Sequence, residues 1–287
     1  MNDDPKPFFG YQDYQIIFAE RFKPFLEMSE KLNRLFVEVE QKADKPSNAL
    51  PVQFGVMYFL YRQVVEEFNG ILILCANGFS RGATILLRAM YENCVTLKFF
   101  QMCSTGETDC KGNDISRFLD FGAIAKRKKL GMFKQAYQGD LSREDFGHID
   151  QAADAVKEKF LITDCKSCGT KKQAFRWSKM DIISMAAAAK LSKDLTFFCY
   201  TEALSYSHPS ADYIERRVET DENGNWGYRF ESPSDERKTL MYAHLMTLIG
   251  SEALLRYSEV DDTESILSSS AQDWEICWGT TDALEQT

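Results

Sequence analysis

The feature that most constrains this fold is a helical periodicity that runs through most of the chain. From residue 11 to residue 137, apolar side chains recur at every third or fourth position, which places them on one face of each α-helix. Stretches such as "PSNALP" and "STGETDCKGND" interrupt the pattern and separate the helices. The sequence therefore predicts an N-cap at Ser80 and helices over residues 11–43, 52–76, 81–103, 115–137, 142–160, 178–191, 193–207 and 235–260.

One short segment has a different character. Residues 213–232 carry β-branched and aromatic side chains on both sides of "ENGN", a pattern typical of a β-hairpin. We find no internal repeat and no linker rich in Pro or Gly, and residues 162–177 should be irregular. We therefore expect an all-α protein, a single multi-helix bundle over residues 1–260 with a small β-hairpin insertion at 213–232. Residues 261–287 should form an acidic C-terminal tail that contains two tryptophans, and we expect it to dock partly on the body of the protein or on a partner.

Composition and charge limit the classes of function. Hydrophobic residues make up 44% of the chain, enough for a sizeable core. The net charge of −9 and the pI of about 5.1 argue against nonspecific nucleic-acid binding by the whole molecule, although "AKRKKLGMFK" at 125–134 is a local basic cluster. The N-terminus lacks the apolar region of a signal peptide, and the longest apolar runs are too short to cross a bilayer. We expect a cytoplasmic protein without membrane contact.

Two apolar helices carry isolated polar groups. In "LLRAMYENC", Arg88 and Glu92 stand four residues apart on one helix face. In "SYSHPS", His208 comes where Pro209 should end a helix, and an imidazole there can act as a general acid or base. Because buried polar groups need partners, we expect His208 to point inward toward Arg88 and Glu92. The alternatives are an exposed or purely structural ion pair and a histidine that caps the helix C-terminus.

A further candidate pair lies in "RKTLMYAH", where Arg237 and His244 are seven residues apart and so share a helix face. The alternative is a solvated arginine and an ordinary histidine at the edge of the core.

The cysteines form the last candidate site. "CKSCG" contains Cys165 and Cys168, and "CSTGETDC" supplies Cys103 and Cys110. Four thiolates could hold a structural zinc ion, and the alternative is ordinary loop thiols. In an intracellular chain, thiols or metal ligands are expected in preference to disulfides.

Two longer segments, "GATILLRAMYENCVTLKFF" and "CYTEALSYSHPSADY", resemble a bacterial all-helical family of unknown function with an R-x3-E helix and an S-x-x-H helix end. The likeness covers roughly residues 50–260. That family is similar to HEPN-type helical proteins, which include metal-independent ribonucleases of toxin and phage-defence systems. Arg237 and His244 meet the HEPN spacing, but Lys238 stands where Asn, Asp or His is usual.

The resemblance implies an RNA-cleaving toxin or defence effector that acts without a metal and forms a homodimer or joins a partner protein of a defence system. The RNA 2′-OH would attack the adjacent phosphate while a histidine moves protons and an arginine stabilises the charge. The catalytic residues would be His208 with Arg88 and Glu92, or Arg237 with His244. The alternatives are a noncatalytic binding or regulatory module and a zinc-stabilised sensor partner.

Overall fold

The computed structural model describes residues 12–44, 51–110, 112–137, 143–163, 168–207, 214–215, 218–228 and 233–279. The chain forms two compact units, one made of Met1–Thr108 with Ile182–Thr287 and the other of Asp109–Asp181. The fold is all-α with a small β-hairpin insertion, as expected, and it contains a second small hairpin that was not expected. The prediction of one domain over residues 1–260 stays a prediction.

The described elements follow one another in chain order. They are α1 (Gln12–Arg21), α2 (Lys23–Ala43), α3 (Pro51–Ala76), α4 (Ser80–Ser104), α5 (Ile115–Tyr137), α6 (Arg143–Val156), a 3-10 turn (Lys157–Phe160), β1 (Leu161–Thr163), β2 (Lys171–Gln173), α7 (Ile182–Ala188), α8 (Lys193–Thr196), a π-helical turn (Phe197–Glu202), α9 (Ala203–Ser207), β3 (Val218–Thr220), β4 (Trp226–Tyr228), α10 (Pro233–Tyr257) and α11 (Thr263–Trp278).

The core of the larger unit is formed by α3, α4 and α10, which pack on one another. Glycines allow close approach: a Cβ on Gly70 of α3 would lie 2.6 Å from Leu86 Cδ2 of α4. Helix α2 packs on α10, α11 packs on both, and α7 and α9 pack on α4. Among the described residues, every helix is too short or too polar to span a lipid bilayer.

Several helix boundaries differ from the sequence prediction. The helix expected over 142–160 ends at Val156, the one expected over 178–191 covers only Ile182–Ala188, and the one expected over 193–207 contains a π-helical turn at Phe197–Glu202. The expected helix 11–43 is broken at Phe22, because Pro24 lies in the first turn of α2. Proline lacks the N–H of an interior helical residue and its ring clashes with the preceding turn, so it fits only a helix start. Helix α4 begins at Ser80 and its N-cap is Phe79, so the predicted cap is one residue late.

The hairpin expected within residues 213–232 is confirmed. Strands β3 and β4 are antiparallel, with Val218 opposite Tyr228. In the turn, the Asp221 carboxylate accepts hydrogen bonds from the Asn223 and Asn225 amides at 2.9 and 2.8 Å, and Gly224 adopts a φ of 79° that favours glycine.

In the Asp109–Asp181 unit, α5 packs on α6 and a second hairpin pairs β1 with β2. The sequence prediction missed this hairpin, because three-residue strands are too short to show an alternating pattern. The core of this unit is formed by Ile124, Ala153 and Phe160.

Candidate functional site

Arg88 and Glu92 form the expected contact on α4. The Arg88 Nε donates to Glu92 Oε1 at 3.0 Å, and the two side chains are 23% and 46% exposed. The guanidinium carbon also lies 4.6 Å from the centroid of the Tyr200 ring, in a cation–π contact. The arginine is therefore held on two sides, but the pair lies at the surface and is less buried than the apolar sequence around it suggests.

Glu67 of α3 is a titratable residue that the sequence analysis did not identify. The Asn93 Nδ2 donates to both of its carboxylate oxygens, at 3.0 and 3.1 Å. Burial raises the pKa of Glu67 to about 7, with a smaller contribution from the negative charges of Glu66 and Glu92, and the Asn93 hydrogen bond acts in the opposite direction. A carboxyl group that titrates near neutral pH can accept or donate a proton in a reaction. The sequence signal that could have identified Glu67 is the adjacent pair Glu66–Glu67 in a largely apolar helix.

His208 and Pro209 lie outside the residues that the structure describes. The preceding helix α9 is tied to α4, since the Arg81 Nε donates to the Tyr206 carbonyl at 3.0 Å. The Ser205 hydroxyl donates to the Glu202 carbonyl at 2.7 Å. The expected contact of His208 with Arg88 and Glu92 stays a prediction.

His244 lies in the core of the larger unit and has no exposed surface. The Trp278 Nε1 donates to its Nδ1 at 3.0 Å, and its Nε2 lies 2.8 Å from the Ser29 hydroxyl. Because an indole can only donate, Nδ1 must be the acceptor and the ring proton sits on Nε2. The imidazole then donates to Ser29, which donates to the Phe25 carbonyl at 2.8 Å.

This environment corrects the catalytic role expected for His244. Burial lowers the pKa of His244 to about 3, so the ring stays neutral at physiological pH. A buried imidazole with both nitrogens hydrogen-bonded cannot reach an RNA phosphate. Arg237 borders the same cluster, with its guanidinium carbon 5.6 Å from the Phe25 ring centroid. The structure therefore gives His244 a packing role that joins α2, α10 and α11.

The cysteines differ from the expected four-thiolate site. Cys103 and Cys110 are each disulfide-bonded, which corrects the expectation of thiols and leaves neither sulfur as a thiolate ligand. Cys165 lies outside the described residues, and Cys168 is exposed with its sulfur 2.8 Å from the Thr170 hydroxyl. No cluster of metal-binding side chains occurs within the part of the chain that the structure describes. Zinc binding stays a prediction, and a four-cysteine site would require Cys103 and Cys110 to be reduced.

A model of a protein family matches residues 54–225, which is more than half of the chain. The chain belongs to DUF5677, a family of unknown function. The DUF5677 match contains Glu67, Arg88, Glu92 and the whole Asp109–Asp181 unit, whereas Arg237 and His244 lie beyond it. No curated protein and no solved structure matches the chain. The likeness to HEPN proteins stays a prediction.

Proposed function

We propose that this DUF5677 protein is a noncatalytic RNA-binding module in which the Asp109–Asp181 unit holds the RNA. The observation that carries the proposal is the separation of charge along the chain. This unit has 15 lysines and arginines against 11 aspartates and glutamates, a net charge of +4. The rest of the chain has 19 against 32, a net charge of −13. An RNA strand is attracted to the first unit and repelled by the second.

The exposed side of α5 supplies the positive charge. Lys126, Lys128 and Lys129 are exposed there, and Arg127 is paired with Asp154 at 2.9 Å. Within the described residues, neither Lys128 nor Lys129 forms an ion pair. Their ammonium groups can therefore bind phosphates without first breaking a salt bridge, and each phosphate that is bound releases condensed counterions from the RNA.

RNA cleavage is the second candidate, because one observation favours it. Glu67 titrates near neutral pH, and the Arg88 guanidinium is held in place by Glu92. Together with His208, these groups could supply proton transfer and stabilisation of the developing charge. The same region also contains the carboxylates of Glu66 and Glu92. Their negative charge opposes the approach of a phosphate, which is why we rank binding above cleavage.

Fluorescence anisotropy with a labelled RNA tests the proposal. The wild-type protein should bind, and its affinity should fall steeply as salt is raised, with a logarithmic slope of about −0.7 for each phosphate contact. The double variant Lys128→Glu/Lys129→Glu should bind more weakly and with a shallower slope. The matched control Lys23→Glu/Lys193→Glu changes two exposed lysines of the acidic unit and should bind like wild type. Absence of binding at low salt, or equal loss in both double variants, would refute the proposal.

The same samples distinguish binding from cleavage. RNA recovered after incubation without a metal should keep its length. RNA that is shortened by wild type and left intact by Glu67→Gln or Arg88→Ala would favour the cleavage candidate instead.

This proposal includes two further expectations. The first is a cytoplasmic location, where RNA is available, and the second is a homodimer. Val52, Phe59 and Ile73 are exposed and lie on one face of α3, because they are spaced by multiples of seven residues. These three side chains offer apolar surface for a second copy, and the exposed Glu66 has the same spacing and places one carboxylate among them. Light scattering should give the mass of a dimer for wild type and of a monomer for Phe59→Asp, and a monomeric wild type would contradict the expectation.

A further inference from the structure

A cleft of about 590 Å³ opens on the Asp109–Asp181 unit. One wall is formed by α5 and the other by the end of β2 and the residues that follow it, and the lining residues include Ile124, Lys128, Met132, Ala174 and Phe175. Ile124 also belongs to the buried core of this unit, so the cleft has an apolar floor. Its volume falls in the range of about 300–1,000 Å³ that is usual for small-ligand sites.

Phe175 is the most exposed hydrophobic side chain that lines the cleft, at 72%. The ammonium nitrogens of Lys128 and Lys172 lie 5.2 and 5.9 Å from its ring centroid. The backbone beside it is fixed, because the Ala174 amide donates to the Phe160 carbonyl at 2.8 Å. Both ammonium groups lie over the ring in cation–π contacts, and a base that stacks on Phe175 replaces such a contact. Proteins that bind single strands combine a positively charged groove with exposed aromatic rings on which the bases stack.

The charge of the lining determines the kind of occupant. Its charged side chains are Arg127, Lys128 and Lys129, and no carboxylate occurs among the described residues that line it. The site therefore matches a ligand with a flat apolar part and a negative part. A nucleotide unit of RNA has both, with a base to place on Phe175 and phosphates to place at Lys128 and Lys129.

We propose that this cleft receives an unpaired base, so that the ligand of the Asp109–Asp181 unit is single-stranded RNA; this rests on the RNA binding proposed above. A duplex keeps its bases stacked inside the helix and offers Phe175 no free face. The cleft thus supplies the preference for single strands, and the lysines of α5 supply the general attraction to RNA.

The test compares a labelled 12-nucleotide single strand with the same sequence annealed as a duplex. Wild type should bind the single strand more tightly. Phe175→Ala should weaken single-strand binding by roughly 5- to 150-fold, the effect of losing one stacked base, and should leave duplex binding unchanged. Phe175→Tyr keeps a ring and should restore binding. Trp226→Ala, which removes an exposed aromatic ring from β4 of the other unit, should have no effect.

The possible failures are distinguishable. If wild type binds neither RNA, the proposed function is wrong and this inference is wrong with it. If RNA binds but Phe175→Ala binds both forms like wild type, only the stacking site is refuted. A third arm measures the binding of AMP alone to wild type and to Phe175→Ala. If AMP binds in a manner that depends on Phe175 while no RNA binds, the site is one for free nucleotides and the assignment to RNA is overturned.

Discussion

Acid should destabilise the larger unit through His244. The folded protein holds this imidazole neutral, because burial lowers its pKa to about 3 from an ordinary value of 6.5. Well above pH 6.5 neither the folded nor the unfolded chain protonates the ring, so its full contribution to stability is present. As the pH falls below 6.5, the unfolded chain takes up a proton that the folded chain cannot accept. Stability is therefore lost on acidification from about pH 6.5 down to about pH 3.

The size of the effect follows from the shift in pKa. Each pKa unit corresponds to about 1.4 kcal/mol, so the whole shift is worth roughly 4–5 kcal/mol. Between pH 6.5 and pH 5 the loss should be about 2 kcal/mol. That is a large fraction of the 5–15 kcal/mol by which folded domains are usually stable.

Urea unfolding followed by far-UV circular dichroism at pH 7, 6 and 5 measures this loss. The comparison that isolates it is wild type against His244→Gln, which cannot titrate at this position, since other groups titrate equally in both. The wild-type free energy of unfolding should fall by about 2 kcal/mol more than that of the variant. The control His148→Gln removes an exposed imidazole, and its free energy of unfolding should fall between pH 7 and pH 5 as the wild-type value does. If the free energy of unfolding falls equally on acidification in wild type and in His244→Gln, the description of His244 as buried and neutral is refuted.

Three other predictions follow from the described contacts. Trp278→Phe keeps an aromatic ring but removes the indole donor, so it should lower the free energy of unfolding by about 1–3 kcal/mol, whereas Trp226→Phe on the exposed hairpin should not. Because burial raises the pKa of Glu67 to about 7, its ionisation opposes folding as the pH rises from about 4.5 through 7. The melting temperature of Glu67→Gln relative to wild type should therefore be higher at pH 8 than at pH 5. If Cys165 and Cys168 bind zinc, elemental analysis of reduced protein should find one zinc ion per chain in wild type and none in a variant with serine at both positions. If reduced wild type contains no zinc, both residues are ordinary thiols.

The long helices were predictable because two independent signals agree. Helices α3 and α5 begin and end within one residue of the predicted limits, since strong apolar periodicity is bounded by clear breakers on both sides. Helix α11 was missed and assigned to the tail, because "SILSSSAQDWEICW" is rich in serine. Its docking was nevertheless expected from the tryptophans, and Trp278 is buried.

The candidate site was predictable only where it is local. The Arg88–Glu92 contact follows from helical spacing alone. The environment of His244 does not, because its two partners, Ser29 and Trp278, are 215 and 34 residues away along the chain. The titration of Glu67 depends in the same way on burial against other helices. Such properties arise from packing, which periodicity does not specify.

The interruption of the larger unit by the Asp109–Asp181 unit fixes an order of events during synthesis. The inserted unit is continuous in sequence, so all of it exists once Asp181 has emerged from the ribosome. The apolar faces of α3 and α4 cannot pack on α10 until that helix has been synthesised, and it ends at Tyr257, 76 residues after Asp181. At about 5–20 residues per second this delay is roughly 4–15 s. During that time the nascent chain displays its largest apolar surfaces, so a chaperone that binds near the ribosome should engage this protein after its middle segment has folded.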